Sequence, residues 1–287
     1  MYESLSVTAR VKSIKQPHGG YLPVKAFQVI ELDDGQVLSE AENIHASVIG
    51  MVVDYLTRFM MGTPLRSAFQ ISLEGASQAK RCGGLRMWRA ERDAKAYLSK
   101  IKGIDDTSII NACKLVTFDV WYRQPASVAA LAKPAKEINP DVATVRNIQI
   151  LVQRCLAFWE KYGPIVCDGF TFEGGYTGTV SSGDGDYLTA DTLWDFKVSA
   201  NKLTSKHTLQ ILMYWIMGYH SVHQEFKRIK KLAFYNPRLN RVYQYDLSNL
   251  SDEVIRAVED DVICYKDYYN PRINSTSILE MREHGKS

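Results

Sequence analysis

Apolar residues recur along this chain at two spacings, every second position and every third to fourth, and glycine, proline and asparagine separate the stretches. Leu5, Val7, Ala9 and Val11 alternate with polar neighbours, which predicts a strand over residues 5–14. After Pro17 and Gly19-Gly20, an apolar run over residues 27–32 predicts its hairpin partner. Helical spacing takes over at residues 43–61, where Val48, Val52, Tyr55 and Phe59 share a face, Asn43 is available as a cap and Gly62-Thr63-Pro64 stops the run. The helical pattern continues over residues 67–80, 85–101 and 107–122, punctuated by Gly75, Gly83-Gly84 and Gly103. Residues 126–140, rich in alanine and proline, predict a linker.

A strongly amphipathic helix is expected over residues 144–162, with Ile148, Leu151, Val152, Cys155, Phe158 and Trp159 forming a stripe to bury against a sheet. Strands are expected at residues 166–173 and 176–180 on either side of Gly174-Gly175. Next come a helix at 205–220 capped by Ser205 and a hairpin at 229–235 and 241–247 turning through Asn236-Pro237-Arg238-Leu239-Asn240. A last helix over residues 252–269 buries Val254, Ile255, Val258, Val262 and Tyr265, and the polar tail from Asn270 is expected to fray. The succession predicts an α/β chain, and no internal repeat is visible.

The stretch of residues 183–214 carries the chemistry. Two short strand-like runs flank Ala190-Asp191, and a two- or four-residue connection gives the same hairpin register. That register sets Tyr187 opposite Trp194, Thr189 opposite Thr192, and Asp186 opposite Asp195. Directly opposed residues have Cβ atoms roughly 5 Å apart, where like charges repel. Two acids so placed are either a cost without a purpose or the ligands of a cation. Side chains alternate along a strand, so Lys197 shares the face of Asp195 while Phe196 points the other way, into the core. Oxygen ligands of this kind suit Mg²⁺ or Mn²⁺, and a lysine beside them can hold an attacking water or a scissile phosphate.

Composition narrows the setting. A length of 287 residues with 46% hydrophobic and 23% charged residues is that of an ordinary globular chain, one large domain or two small ones. No apolar run approaches the ~20 residues of a membrane span. The first residues, with an early acid and no apolar core, predict neither signal peptide nor anchor, so a cytoplasmic location with no membrane partner is inferred. The five cysteines, Cys82, Cys113, Cys155, Cys167 and Cys264, form no CxxC and no zinc spacing and read as buried reduced thiols. A net charge of +3 permits a basic surface without demanding one. Between Gln78 and Lys102, Lys80, Arg81, Arg86, Arg89, Arg92, Lys95, Lys100 and Lys102 face only Glu91 and Asp93. This run is either a solvated helix face or a phosphate-contacting surface with Trp88 and Tyr97 as stacking groups.

An acid two residues before a lysine is weak evidence alone, and the chain has three such triplets, Asp93-Ala-Lys95, Asp195-Phe-Lys197 and Glu225-Phe-Lys227. Only the middle one lies on an expected strand, faces an opposing acid and precedes a helix with Gln210-x-x-x-Tyr214, the only Gln-x-x-x-Tyr spacing in the chain. At i and i+4 both side chains share one helical face, and both can donate hydrogen bonds toward a phosphate.

Gly183-x-x-Asp186, Asp195-Phe196-Lys197 and Gln210-x-x-x-Tyr214, in this order and spacing, resemble the motifs of the PD-(D/E)XK nuclease superfamily, in its RecB-like branch. The resemblance is sharp over residues 166–220 and only topological elsewhere. It implies a restriction-endonuclease-like mixed sheet flanked by helices, here with a helical insertion. In one nuclease domain, residues 1–62 would hold an N-terminal hairpin and the first core helix, 63–143 the insertion and linker, and 144–287 the core. The implied site holds Mg²⁺ or Mn²⁺ through Asp186, Asp195 and the carbonyl of Phe196, with Lys197 orienting the water and Gln210 and Tyr214 holding the strand. RecB-like members tend to carry a metal-binding histidine in Gly-x-x-x-His on the first core helix. Gly50-Met-Val-Val-Asp54 departs from this, so Asp54 either replaces the imidazole or pairs with a neighbour such as Arg58. Glu173 is a second candidate for the upstream acid. His207 reads as a phosphate contact or a surface residue, and Cys264 alone cannot hold the iron–sulfur cluster of some relatives. The expected activity is metal-dependent hydrolysis of nucleic acid, most readily DNA. The alternative is a catalytically silent nuclease-like module that binds nucleic acid or protein. Exonuclease or endonuclease action, and a protein partner or second copy, stay open.

Overall fold

The computed structural model of the protein describes residues 4–267 and Ile278. The tail expected from Asn270, apart from Ile278, and the last two residues of the helix expected at 252–269 lie outside the described residues. The chain packs as two compact units, Met1–Leu32 with Tyr162–Ser287, and Asp33–Lys161. The first expected core helix, the segment 63–143 and most of the long helix that follows therefore share one unit.

The strand expected at 5–14 is instead a two-residue strand β1 (Leu5–Ser6) and a helix α1 (Val7–Ser13). Ser6 Oγ accepts from the Ala9 N–H at 3.2 Å as an N-cap. Val7 and Val11, both buried, are also one helical turn apart, so the alternation coincided with an i, i+4 pair. Strand β2 (Gln28–Glu31) lies where expected, but with no N-terminal strand to pair with it makes no hairpin there.

The unit Asp33–Lys161 is helical. Helix α2 (Ala46–Met60) buries Ile49, Val52, Val53, Tyr55 and Leu56. Its cap is His45, whose Nδ1 accepts from the Ser47 N–H at 3.3 Å. Asn43 instead accepts from Asp141 N–H and Thr144 Oγ1, each at 3.0 Å. There follow α3 (Leu65–Ala68), α4 (Gln70–Cys82), α5 (Ala90–Leu98), α6 (Asp106–Val116), α7 (Asp119–Arg123), α8 (Ala126–Ala129) and α9 (Val142–Tyr162). The helix expected at 107–122 breaks between α6 and α7, where the Phe118 carbonyl packs directly on Gly75 of α4, leaving no room for a Cβ. Residues 126–140 are not a linker between the units; Ala129 and Ile138 are buried within this one. Asp119, 1% exposed, accepts from Tyr55 Oη at 2.6 Å and Ser72 Oγ at 2.5 Å. Burial pushes its pKa up despite those bonds.

The other unit holds the remaining strands: β3 (Cys167–Phe170), β4 (Val180–Ser182), β5 (Gly185–Leu188), β6 (Thr192–Phe196), β7 (Lys231–Asn236) and β8 (Arg241–Asp246). A six-stranded mixed sheet runs β2-β8-β7-β6-β5-β3, with β6 and β7 parallel and the other neighbours antiparallel. Thus β2 pairs with β8, Ile30 opposite Val242. The strand expected at 176–180 starts only at Val180, because Thr177 Oγ1 accepts from the N–H groups of Thr179 and Val180 and bends the chain. That strand pairs with β1.

Between β6 and β7 runs α10 (Ser205–His220). Leu209, Leu212, Met213 and Ile216 pack with Leu193, Leu232, Phe234, Tyr243 and Tyr245 in one core, so the face of β6 bearing Leu193 is the face turned to this helix. The C-terminal helix is shorter than expected: α11 (Asp252–Ala257), capped by Ser251, passes into a π-helical turn, Val258–Ile263, and ends at Cys264 in the left-handed region (φ 67°). Ile278 is buried in the same core rather than frayed. Among the described residues no helix is long and apolar enough to cross a membrane.

Candidate active site

The hairpin adopts the register that the sequence requires. Tyr187 pairs with Trp194 and Leu188 with Leu193, and the Thr189 N–H donates to the Thr192 carbonyl at 3.0 Å. One step along the ladder, Asp186 and Asp195 therefore stand opposite each other on the face that carries Leu188 and Leu193. Asp195 is 4% exposed, sealed by its position two residues beyond a core leucine. Asp186 Oδ2 accepts from the Phe196 N–H at 2.7 Å, which ties the first strand to the backbone beside the second acid. Past the end of β6, the Lys197 N–H donates to the Tyr235 carbonyl at 3.0 Å and keeps the chain extended. Phe196 points to the opposite face, as alternation requires. There it is only half-buried, its ring against Tyr187 and Tyr235, rather than enclosed in the core.

Lys197 turns back to Asp195, its Nζ 3.1 Å from Oδ1 and 2.8 Å from Oδ2. The same ammonium donates to Gln210 Oε1 at 3.4 Å, and Gln210 Nε2 donates to Tyr214 Oη at 2.7 Å. Four of the five catalytic positions expected from the sequence thus form one chain of contacts, Asp195, Lys197, Gln210 and Tyr214, with Asp186 across the ladder. Helix α10 supplies the last two because it is buried almost all round, from Leu209 to Met217, with Gln210 as the polar interruption. Tyr214 is held by stacking on Phe172, centroids 5.3 Å apart.

The electrostatics follow from burial. Desolvation acts to discharge Lys197, but the Asp195 charge and hydrogen bond, with Asp186 behind, outweigh it and hold its pKa above the ordinary lysine value. The Tyr214 hydroxyl is pushed up by burial and then by the charges of Asp195, Asp186 and Asp184. Asp184, exposed and two residues before Asp186, is a contributor that the motif reading passed over; the i, i+2 spacing of the two acids was the available signal. His207 has a capping role. Its Nδ1 accepts from the Thr204 N–H at 3.1 Å, so Thr204 and His207 close a capping box and Ser205 is the first helical residue, not the cap. Burial, then the Lys197 charge, lowers its pKa.

Two other candidates have polar partners of their own. Glu173 sits in an exposed turn, paired with His223 Nε2 at 2.8 Å and accepting from Thr171 Oγ1 at 2.5 Å, with its pKa lowered to about 2 by those bonds. Asp54 belongs to α2 in the helical unit, and its Oδ1 accepts from Arg58 Nε at 3.0 Å. All five cysteines are free thiols, but only Cys113 and Cys155 are buried, their pKa pushed up to about 12 by desolvation; Cys167 and Cys264 are part-buried and Cys82 is exposed.

No protein-family model matches the chain, and no curated protein or solved structure does. Among the described residues no three His, Cys, Asp or Glu side chains form a metal cluster, so a cation here would rest on two carboxylates and on backbone and water oxygens. The donor set fits that role. Asp195 Oδ2 is buried with the Lys197 ammonium, 2.8 Å away, as its one counter-charge, and its remaining lone-pair capacity is open to a cation.

Proposed function

We propose that the protein is a metal-dependent nuclease of the PD-(D/E)XK type, with a restriction-endonuclease-like core, acting on DNA. The observation that carries the reading is the convergence of Asp186, Asp195, Lys197, Gln210 and Tyr214, drawn from two strands and a helix, on one face of the sheet. A structural ion pair would explain Asp195 with Lys197, but not a second acid in register nor a Gln–Tyr pair in line with the ammonium. Asp186, Asp195 and the Phe196 carbonyl would hold Mg²⁺ or Mn²⁺, which when bound supplies phosphate charge neutralisation and a more acidic water.

In the reaction the water oxygen bonds to phosphorus, one ester P–O bond breaks, and the proton lost by the water ends on the leaving oxygen. Lys197 stays cationic at neutral pH, so it orients the water and the scissile phosphate rather than taking the proton. An ammonium has three hydrogens, and Asp195 and Gln210 occupy two. Gln210 and Tyr214 extend the donor row along which a strand is held.

The reading is tested by Lys197→Ala and Asp195→Asn. Each variant should cut linear duplex DNA at least about 10²-fold more slowly than wild type in Mg²⁺, on the scale of a lost acid–base or positioning group. Calorimetry should show divalent-metal binding lost in Asp195→Asn and kept in Lys197→Ala. Undiminished cleavage by Lys197→Ala protein would sink the assignment.

A further inference from the structure

The helical unit has its own candidate ligand surface, a cavity of about 420 Å³ formed wholly within Asp33–Lys161. Trp88, Tyr97 and Trp121 line it, together with the exposed cations Arg86, Arg89, Lys133 and Lys136. Asp93 and Glu137 are its acids, and Asp93 already lies 3.7 Å from Arg92. Arg86 donates to the Ala130 carbonyl at 3.4 Å, whereas Arg89, Lys133 and Lys136 make no ion pair with any described residue. The charge balance of the lining is therefore positive, and the cations that set it are uncompensated.

Trp88 decides what kind of anion fits. It is 57% exposed, and guanidinium groups lie over its ring, Arg89 Cζ 4.3 Å and Arg92 Cζ 5.9 Å from the centroid, held there by exposed contacts that a stacking base can replace. A flat π-face beside cations is the combination that takes a planar base with its phosphates. A duplex keeps its base faces stacked within itself, so the ligand must present an unstacked base.

We propose that this cavity takes a nucleotide of a single nucleic-acid strand, its base stacked on Trp88 and its flanking phosphates on Lys133 and Lys136. The inference deepens the nuclease reading by naming a single strand as ligand, and it rests on that reading for the ligand's being nucleic acid.

The test is fluorescence anisotropy of a fluorescein-labelled oligothymidylate titrated with the full chain in EDTA, which separates binding from cleavage. Trp88→Ala should weaken binding about 5- to 150-fold, the span of one base–aromatic stack, while Trp88→Phe keeps most of it. Trp88 is exposed, and circular dichroism checks that both variants stay folded. In Lys133→Ala/Lys136→Ala protein the slope of log K against log salt should shrink by about 1.4, two phosphate contacts on a single strand. Equal binding by wild type and Trp88→Ala, or an unchanged salt slope, overturns the proposal. So does polyglutamate binding with the same Trp88 dependence, which would identify an acidic-peptide site. The two readings fail separately. Metal-dependent cleavage with Trp88-independent binding sinks only the cavity, and Trp88-dependent binding without cleavage in any metal sinks only the nuclease.

Discussion

Lys197 is the residue on which the site turns, because burial and charge pull it in opposite directions. Its folded pKa lies above the ordinary value, so its pairing with Asp195 contributes stability fully below the unfolded lysine pKa of about 10.4 and loses it as pH rises through the folded value. His207 senses the same charge from the other side. Its depressed pKa means that folding favours the neutral ring, a contribution present above about pH 6.5 and lost as pH falls through the folded value. Lys197→Ala should therefore move the His207 titration upward, read from its Cε1–H resonance by NMR, while Asp195→Asn should move it downward; an unshifted His207 in both variants would contradict the placement of the three groups. Asp186 and Asp195 were legible at this scale because hairpin register is the same for either loop length. The capping role of His207 was not, because a histidine at the third helical position is not the glutamate or glutamine by which a capping box is read.

At the scale of elements, α10 carries Gln210 and Tyr214, and its packing tolerates little. A Cβ at Gly218 would enter the Phe226 ring, which is buried against Phe170 and Phe172 and cannot swing aside. Gly218→Ala should cost about 1–3 kcal/mol in urea unfolding. Gly178→Ala, with nothing within 4 Å, should be close to neutral. If the two variants unfold alike, the packing described for α10 is wrong. The long amphipathic α9, the apolar run of α10 and the β7–β8 hairpin were readable from the sequence. Residues 5–14 were not, because Val7 and Val11 satisfy both periods and only the Ser6 cap separates them. The helix break at Phe118 depends on close contact with Gly75, a tertiary fact that no local pattern carries.

At the scale of the whole molecule, the sheet and the helices belong to two compact units of one chain, and the net charge of +3 neither demands nor excludes a nucleic-acid ligand. The proposed function rests instead on local arrangement: acids and a lysine on the sheet, aromatic and basic groups on the helical unit. The division of the chain after Leu32 and at Lys161 was not visible in composition, because residues 126–140 resemble a linker yet bury Ala129 and Ile138. The nuclease assignment is decided by digestion of linear and circular DNA, single- and double-stranded, side by side in Mg²⁺, Mn²⁺ and EDTA, with wild type and Lys197→Ala protein. At least one substrate should be cut by wild type in a divalent metal, EDTA should stop the cutting, and Lys197→Ala should leave that substrate intact. Cleavage that survives Lys197→Ala, or no cleavage of any substrate in either metal, would contradict the assignment.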